Sequence, residues 1–175
     1  MKAQQSDNSN SGILNRVFPR QIDNTFRGHW LGLFLFGFYA LGKLGQGVDG
    51  IFNSYAVATG PDAIPLASYG AAAAQDLLSM FALLSLYVLV LPSLGVLSLI
   101  RYRSMIPLVC LFMLLLNFGS RAVHLLHPDT GDGGAQPRGY YVNLALLAVL
   151  ALSFVLSLAK STSPASHAAT RIPGS

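Results

Sequence analysis

The stretch LNFGSRAVHLLHP, Leu116 to Pro128, sets an arginine and two histidines at the end of a run of otherwise apolar residues. On a helix, Asn117, Arg121 and His124 fall at i, i+4 and i+7, so they share one face and form a polar stripe. Arg121 cannot shed its charge, which leaves two readings. In the plainer one its stem lies along the helix and the guanidinium reaches the lipid headgroups, as long basic side chains near helix ends do. In the sharper one the stripe faces polar partners on other helices. Lys43 and Gln46 sit near the corresponding end of the first apolar segment, Gln75 and Asp76 near the start of the second, and Asn143 near the start of the fourth. Four segments thus bring polar groups to one depth. An outward-facing polar pocket or cap is expected there, with interhelical bonding that only fixes packing as the competing explanation. A pair of Asp76 with Arg121 or with Lys43 would offset much of the roughly 2.5–3.5 kcal/mol that an unpaired ion costs in the middle of a membrane helix. Arg121 is the preferred partner, because its planar fork matches a carboxylate.

Other chemistry is thinner. His124, His127 and Asp129 are candidates for a divalent ion at the outer surface, since imidazoles three apart on a helix project to one side. The PDTGDGGAQPRG that follows His127 is explained by turn formation alone, and no metal is predicted. A haem with two histidine ligands is excluded, because His29 lies at the opposite boundary from His124 and His127, roughly 25–30 Å away across the bilayer. Cys110 is the single cysteine, which excludes an internal disulfide, a CxxC redox pair and a cysteine zinc site. It reads as a small apolar side chain. The chain has no GxSxG, P-loop or HExxH motif and no glutamate. Asp76 with Asp129 as an aspartyl-protease pair has no support in the surrounding residues. No residue is assigned a catalytic role, and no cofactor is predicted from these residues.

The elements that must position such groups follow from composition. Of 175 residues 53% are hydrophobic and only 10% charged, and the mean hydropathy is +0.52. A soluble domain of this size carries about a quarter charged residues, so the solvent of this chain is lipid. Nucleic-acid binding is a poor fit, since the 11 Lys and Arg are scattered and never form a run that would neutralise successive phosphates. Four stretches, about 29–48, 73–100, 105–126 and 140–159, are long enough to cross a hydrocarbon core of about 30 Å as helices. Pro92 is expected to kink the second. Residues 1–28, with QQSDNSNSG, and 161–175, STSPASHAATRIPGS, are polar, lack periodicity and read as loose tails. A cleaved signal peptide is not expected, because the polar lead is long and the small-residue AVA at 56–58 lies far past the first apolar run.

Charge sets the orientation. Lys2, Arg16, Arg20 and Arg27 precede the first helix, Arg101 and Arg103 fill the turn between the second and third, and Lys160 and Arg171 follow the fourth, which puts 8 of the 11 basic residues on one side. Asp49, Asp62, Asp76, Asp129 and Asp132 fall on or near the other. Both termini are therefore expected in the cytosol. The short RYRS turn makes helices two and three antiparallel neighbours, so the expected fold is all-α, an up-and-down four-helix membrane bundle. In helix one Gly28, Gly32, Tyr39 and Lys43 share an arc. Gly28 and Gly32 are a small-xxx-small packing pair, which leaves open whether the contact is within the bundle or between chains. His29 and Trp30, with Tyr140 and Tyr141 at the other boundary, read as interfacial anchors. The loop VDGIFNSYAVATGPDAIPLASYG retains Ile51, Phe52, Tyr55, Ile64, Leu66 and Tyr69 without any Lys or Arg. A short interfacial helix, or a lid over the polar cluster, is expected there.

Two segments carry a family likeness. GLFLFGFYALGKLGQG resembles the opening helix of DoxX-like four-helix membrane proteins, with a glycine and a lysine near its outer end, and YYVNLALLAVLAL is similar to their last helix. Helix two departs, offering Asp76 instead of a deeper acidic residue, and the first outer loop is longer. The resemblance implies an integral membrane accessory subunit or a quinone-linked redox subunit. The leading expectation is a non-enzymatic accessory or interaction protein in the plasma membrane of a bacterium, the inner membrane if the cell has two. It would have other membrane subunits or further copies of itself as partners. The alternatives are a quinone-handling subunit in which Arg121, Lys43 and Asp76 line a headgroup site, and a small-solute transporter. Transport fits less well, because the charges gather at one face and do not step through the bilayer.

Overall fold

The computed structural model describes residues 14–19, 21–126 and 138–159. Four of its helices are long and apolar enough to cross a membrane, with 18-residue windows of mean hydropathy between 1.3 and 2.3. They are α1 (Trp30–Phe52), α3 (Ala71–Arg101), α4 (Ile106–Leu126) and α5 (Arg138–Leu158), and a short α2 (Ser54–Thr59) lies between the first two. At 1.5 Å per residue each long helix spans about 30 Å or more. Among the described residues there is no strand. The architecture is the all-α four-helix membrane bundle that the hydropathy pattern predicts.

The side chains sort as lipid demands. Phe36, Ile106, Cys110, Met113 and Leu150 are fully enclosed or nearly so, and Tyr39, Leu146 and Leu147 pack with them. Large apolar groups such as Phe34, Phe38, Leu84, Tyr87, Leu115, Leu116 and Val155 stand on the outside. A water-soluble bundle would not leave so many apolar groups uncovered, whereas hydrocarbon solvates them at no cost. Hydroxyls on the lipid-facing helix α3 are handled locally. Ser79, Ser93 and Ser98 donate to the carbonyls of Gln75, Leu89 and Leu94 one turn back.

The helices form a ring in which α1 packs chiefly against α3 and α5, while α4 closes the ring by touching both. Helices α3 and α4 do meet at the RYRS turn, but the dominant neighbour of α3 is α1. Small residues at the two ends of α1 explain this. A Cβ on Gly28 would lie 2.5 Å from the Ser157 carbonyl oxygen, and one on Gly32 would lie 3.0 Å from Leu156 Cβ, so this end of α1 lies backbone to backbone against α5. The main-chain N–H of His29 donates to Leu156 O at 3.0 Å, and Ser153 Oγ donates to Gly32 O at 2.7 Å. The glycine pair thus works inside the bundle. At the other end Gly47 and Gly50 lie against Leu89 and Ser85 of α3. That contact carries α1 through Phe52, past residue 48 where the apolar run alone would end it.

Two segments expected to be loose or interfacial are docked. Residues 14–17 are helical, Val17 is buried, and the Arg16 guanidinium donates to the carbonyl of Leu158 at the end of α5. The Asp23 main-chain N–H donates to Ser104 Oγ at 3.0 Å, and the Asp23 carbonyl accepts from the Ser104 hydroxyl at 2.9 Å. The second half of the supposed tail, 14–19 and 21–28, therefore caps one end of the bundle, because Ser104 and the last carbonyls of α5 offer bonds that no hydropathy pattern reveals. Residues 1–13 and 161–175 lie outside the described residues. Across the molecule the 53–70 connection contains α2 and a 3-10 turn, Leu66–Ser68, and buries its own Ala58 and Leu66. The main-chain N–H of Gly139 donates to Pro61 O at 2.9 Å and ties this lid to the start of α5.

Replacing Gly28 by Ala should therefore lower stability by about 1–3 kcal/mol through overpacking, read from denaturant unfolding in detergent. Gly45→Ala, where a Cβ meets nothing within 4 Å, should change it by less than about 0.5 kcal/mol. Equal effects of the two would contradict the close α1–α5 contact.

Candidate functional site

The polar side chains of the membrane interior are strung along the buried face of α1. Depth can be read from the helix rise. Tyr39 stands about 14 Å from Trp30, close to the bilayer middle, and Lys43 about 20 Å from it. Below both, Ser153 Oγ holds the Gly32 carbonyl, and Cys110 Sγ lies 4.0 Å from the same hydroxyl. At the middle level Asn117 Nδ2 donates to Tyr39 Oη at 3.0 Å and to the Met113 carbonyl at 2.8 Å. This bond crosses the ring diagonally, from α4 to α1.

Lys43 carries the next level. Its Nζ donates to Asn143 Oδ1 at 2.6 Å and to Gln46 Oε1 at 3.0 Å. Nine residues separate Lys43 from the end of α1, about 14 Å of helix. The long side chain covers part of that distance and meets Asn143, which lies early in α5. An ammonium has three N–H donors, and two are committed here to neutral amide oxygens. The acidic group whose field reaches Lys43 is Asp62 of the lid, half-buried and more than 4 Å away. Burial raises the Asp62 pKa above the ordinary carboxyl value, and the Lys43 charge offsets only part of that rise. Asp62 is packed against α5, since a Cβ on Gly139 would lie 2.8 Å from its Oδ1.

The candidate residues divide accordingly. Lys43, Gln46 and Asn143 are brought together, and Asn117 joins Tyr39 one level away. Arg121 stands apart from them. Its Nη1 donates to Tyr140 Oη at 3.3 Å, and its guanidinium lies 5.2 Å from the centre of that ring, a cation–π contact. His124 is exposed. Gln75 and Asp76 are exposed on the first turns of α3, and the hydrogen bonds of Lys43 go to Gln46 and Asn143 instead. The expected pairing of Asp76 with Arg121 or Lys43 is corrected on this point, because the only ion pair among the described residues is Arg27–Asp23, at 3.8 Å. Asp62 and not Asp76 reaches the lysine, because the lid folds back over the end of α1. Sequence spacing gave no hint of this, since Asp62 sits in a turn-like GPDAIP. His127 and Asp129 lie outside the described residues, among which no three His, Cys, Asp or Glu side chains are grouped to hold a metal.

One property unites the levels. Among the described residues, no buried side-chain nitrogen or oxygen lacks a hydrogen-bond partner. No protein-family model, no curated protein and no solved structure matches this chain. Its class rests on its own helices and their apolar outer surface. The chain is a multi-pass integral membrane protein.

The sign of the Asp62 shift gives a pH effect on the lid. A carboxyl whose folded pKa is raised adds stability that is full below its ordinary value, near 3.8, and is lost as pH rises through the folded value. After correction for intrinsic rates, exchange of the Asp62 and Ile64 amides, which bond Val57 O and Ala58 O, should be slower at acid than at neutral pH. Asp62→Asn should remove the difference. Wild-type protection that does not vary with pH would contradict the burial of this carboxyl.

Proposed function

We propose that this protein is a non-enzymatic accessory or interaction subunit of a bacterial plasma membrane. Its basic end faces the cytosol, and its polar cluster lies toward the outer face under the 53–70 lid. The observation that carries this reading is the closure of the cluster. Lys43 bonds Gln46 and Asn143, Asn117 bonds Tyr39 and the Met113 carbonyl, and no buried side-chain nitrogen or oxygen among the described residues lacks a partner. Groups so committed fix the packing of α1 against α4 and α5 and hold a defined outer surface, which suits a protein that docks others. The resemblance of segments in α1 and α5 to DoxX-like proteins implies either an accessory or a quinone-linked redox subunit, and so is compatible with this reading. The positive-inside distribution of Arg16, Arg27, Arg101 and Arg103 supports the orientation.

The second reading, a quinone-handling subunit, draws on the ammonium of Lys43, which has a third donor to offer a carbonyl oxygen. Purification in mild detergent, with mass spectrometry of co-purifying proteins and extraction of quinones, separates the two. The accessory reading predicts a membrane-protein partner in fixed stoichiometry and no stoichiometric quinone. Quinone near one per chain, lost on Lys43→Met, would contradict it.

A further inference from the structure

At the basic end of the bundle, three arginines from three separate segments line one cleft. Arg16 belongs to the docked N-terminal segment, Arg27 to the chain entering α1, and Arg103 to the turn between α3 and α4, with Thr25, Ser104 and Ser157 adding hydroxyls to the wall. The parts of the cleft are held in register by the bonds between Asp23 and Ser104 and by the anchoring of Arg16 on Leu158.

Among the described residues, no carboxylate lies within hydrogen-bond distance of these guanidinium groups. Arg16 and Arg103 donate to the main-chain carbonyls of Leu158 and Leu99, which are neutral and occupy only part of each five-donor fork. Arg27 stands 3.8 Å from the Asp23 carboxylate, beyond hydrogen-bond length. Asp23 gives its acceptor capacity to Thr25, whose hydroxyl lies at 2.7 Å and whose amide lies at 3.1 Å. Those two bonds, with a smaller contribution from the Arg27 charge, hold the Asp23 carboxyl below its ordinary range. Among the described residues three cations therefore face one anion at the cleft. The positive excess there is carried by guanidinium N–H donors alone, because the hydroxyls of Thr25, Ser104 and Ser157 donate to Asp23 Oδ1, Asp23 O and Phe154 O.

The level of the cleft decides what comes to it. It is lined by Gly28 just before α1, Ser157 near the end of α5 and Pro107 near the start of α4, and the exposed Trp30 marks the same height. This is where the headgroup layer begins. Guanidinium forks match the tetrahedral oxygens of a phosphate. Basic pockets between membrane helices at this depth are suited to lipid headgroups. We propose that the cleft binds a phosphate group, and that its source is the headgroup of an anionic phospholipid. The site is at the opposite end from the Lys43 cluster and does not depend on the accessory reading.

The test uses the full chain in detergent, titrated with phosphatidylglycerol, with phosphatidylcholine and with inorganic phosphate, and read by native mass spectrometry and by thermal unfolding. Wild-type protein should bind phosphatidylglycerol in preference to phosphatidylcholine. Arg27→Gln and Arg103→Gln should each weaken that binding by about fivefold. Arg101→Gln, an exposed arginine at the same end that does not line the cleft, should leave it unchanged. Arg27→Lys keeps the charge, guards against a folding defect, and should bind between wild type and Arg27→Gln. Inorganic phosphate that binds with the same variant dependence while phosphatidylglycerol does not would overturn the lipid source and assign the site to a free phosphate compound. Equal losses with Arg101→Gln, or no binding of either probe, would overturn the proposal itself.

Discussion

Hydrocarbon offers a polar atom nothing to bond, so each hydrogen-bonding group carried into the bilayer must find its partner within the protein. Lys43 makes that constraint most severe, because it brings a full charge some two-thirds of the way along α1. Asn143 and Gln46 supply amide oxygens to it, and the lid lays Asp62 within reach of its field. Those partners sit on α5, on α1 itself and on the 53–70 connection. Satisfying one ammonium therefore fixes how three parts of the chain stand together. The same requirement, at lower charge, pairs Asn117 with Tyr39 near the midplane and Ser153 with the Gly32 carbonyl.

Helix α1 can serve three neighbours at once because its buried face alternates between small and polar residues. Gly28 and Gly32 let α5 approach closely at one end, and Gly47 and Gly50 let α3 approach at the other. Between them Phe36 and Tyr39 reach into the centre, where Phe36 meets Gly95 of α3 and Met113 of α4. Dispersion contacts and a few hydrogen bonds have to hold such a bundle, since lipid gives helices no hydrophobic drive to associate. A methyl group on Gly28 would strike main-chain atoms of Ser157, which cannot yield as a side chain can. This places tight steric control at the ends of α1 and polar control in its outer half.

The bundle was legible in the sequence because lipid imposes a strong and simple signal, about 20 apolar residues per crossing. The arc of Gly28, Gly32, Tyr39 and Lys43 was visible from helical period alone. The polar level was legible in its composition and not in its pairing. Residues 43, 46 and 143 meet, whereas Gln75 and Asp76, at a similar depth, stand on the outside of α3. Helix rotation decides that difference, and α3 is apolar nearly all round, so its period names no buried face. Asp62 and the docking of residues 14–19 and 21–28 were missed for a related reason. Loop segments dock through single side-chain bonds to main-chain atoms, such as Ser104 with Asp23, and these leave no repeating pattern.

Through the bond between them Lys43 and Asn143 are energetically one unit. A double-mutant cycle on unfolding stability in detergent, with Lys43→Met, Asn143→Leu and the pair together, measures this directly. Asn143→Leu alone should cost about 2 kcal/mol, because it removes the shorter of the two hydrogen bonds that hold a half-buried charge. In the Lys43→Met background it should cost much less, giving a coupling of at least about 1 kcal/mol. Single effects that simply add, to within about 0.5 kcal/mol, would mean that the ammonium does not depend on Asn143 and would contradict the account.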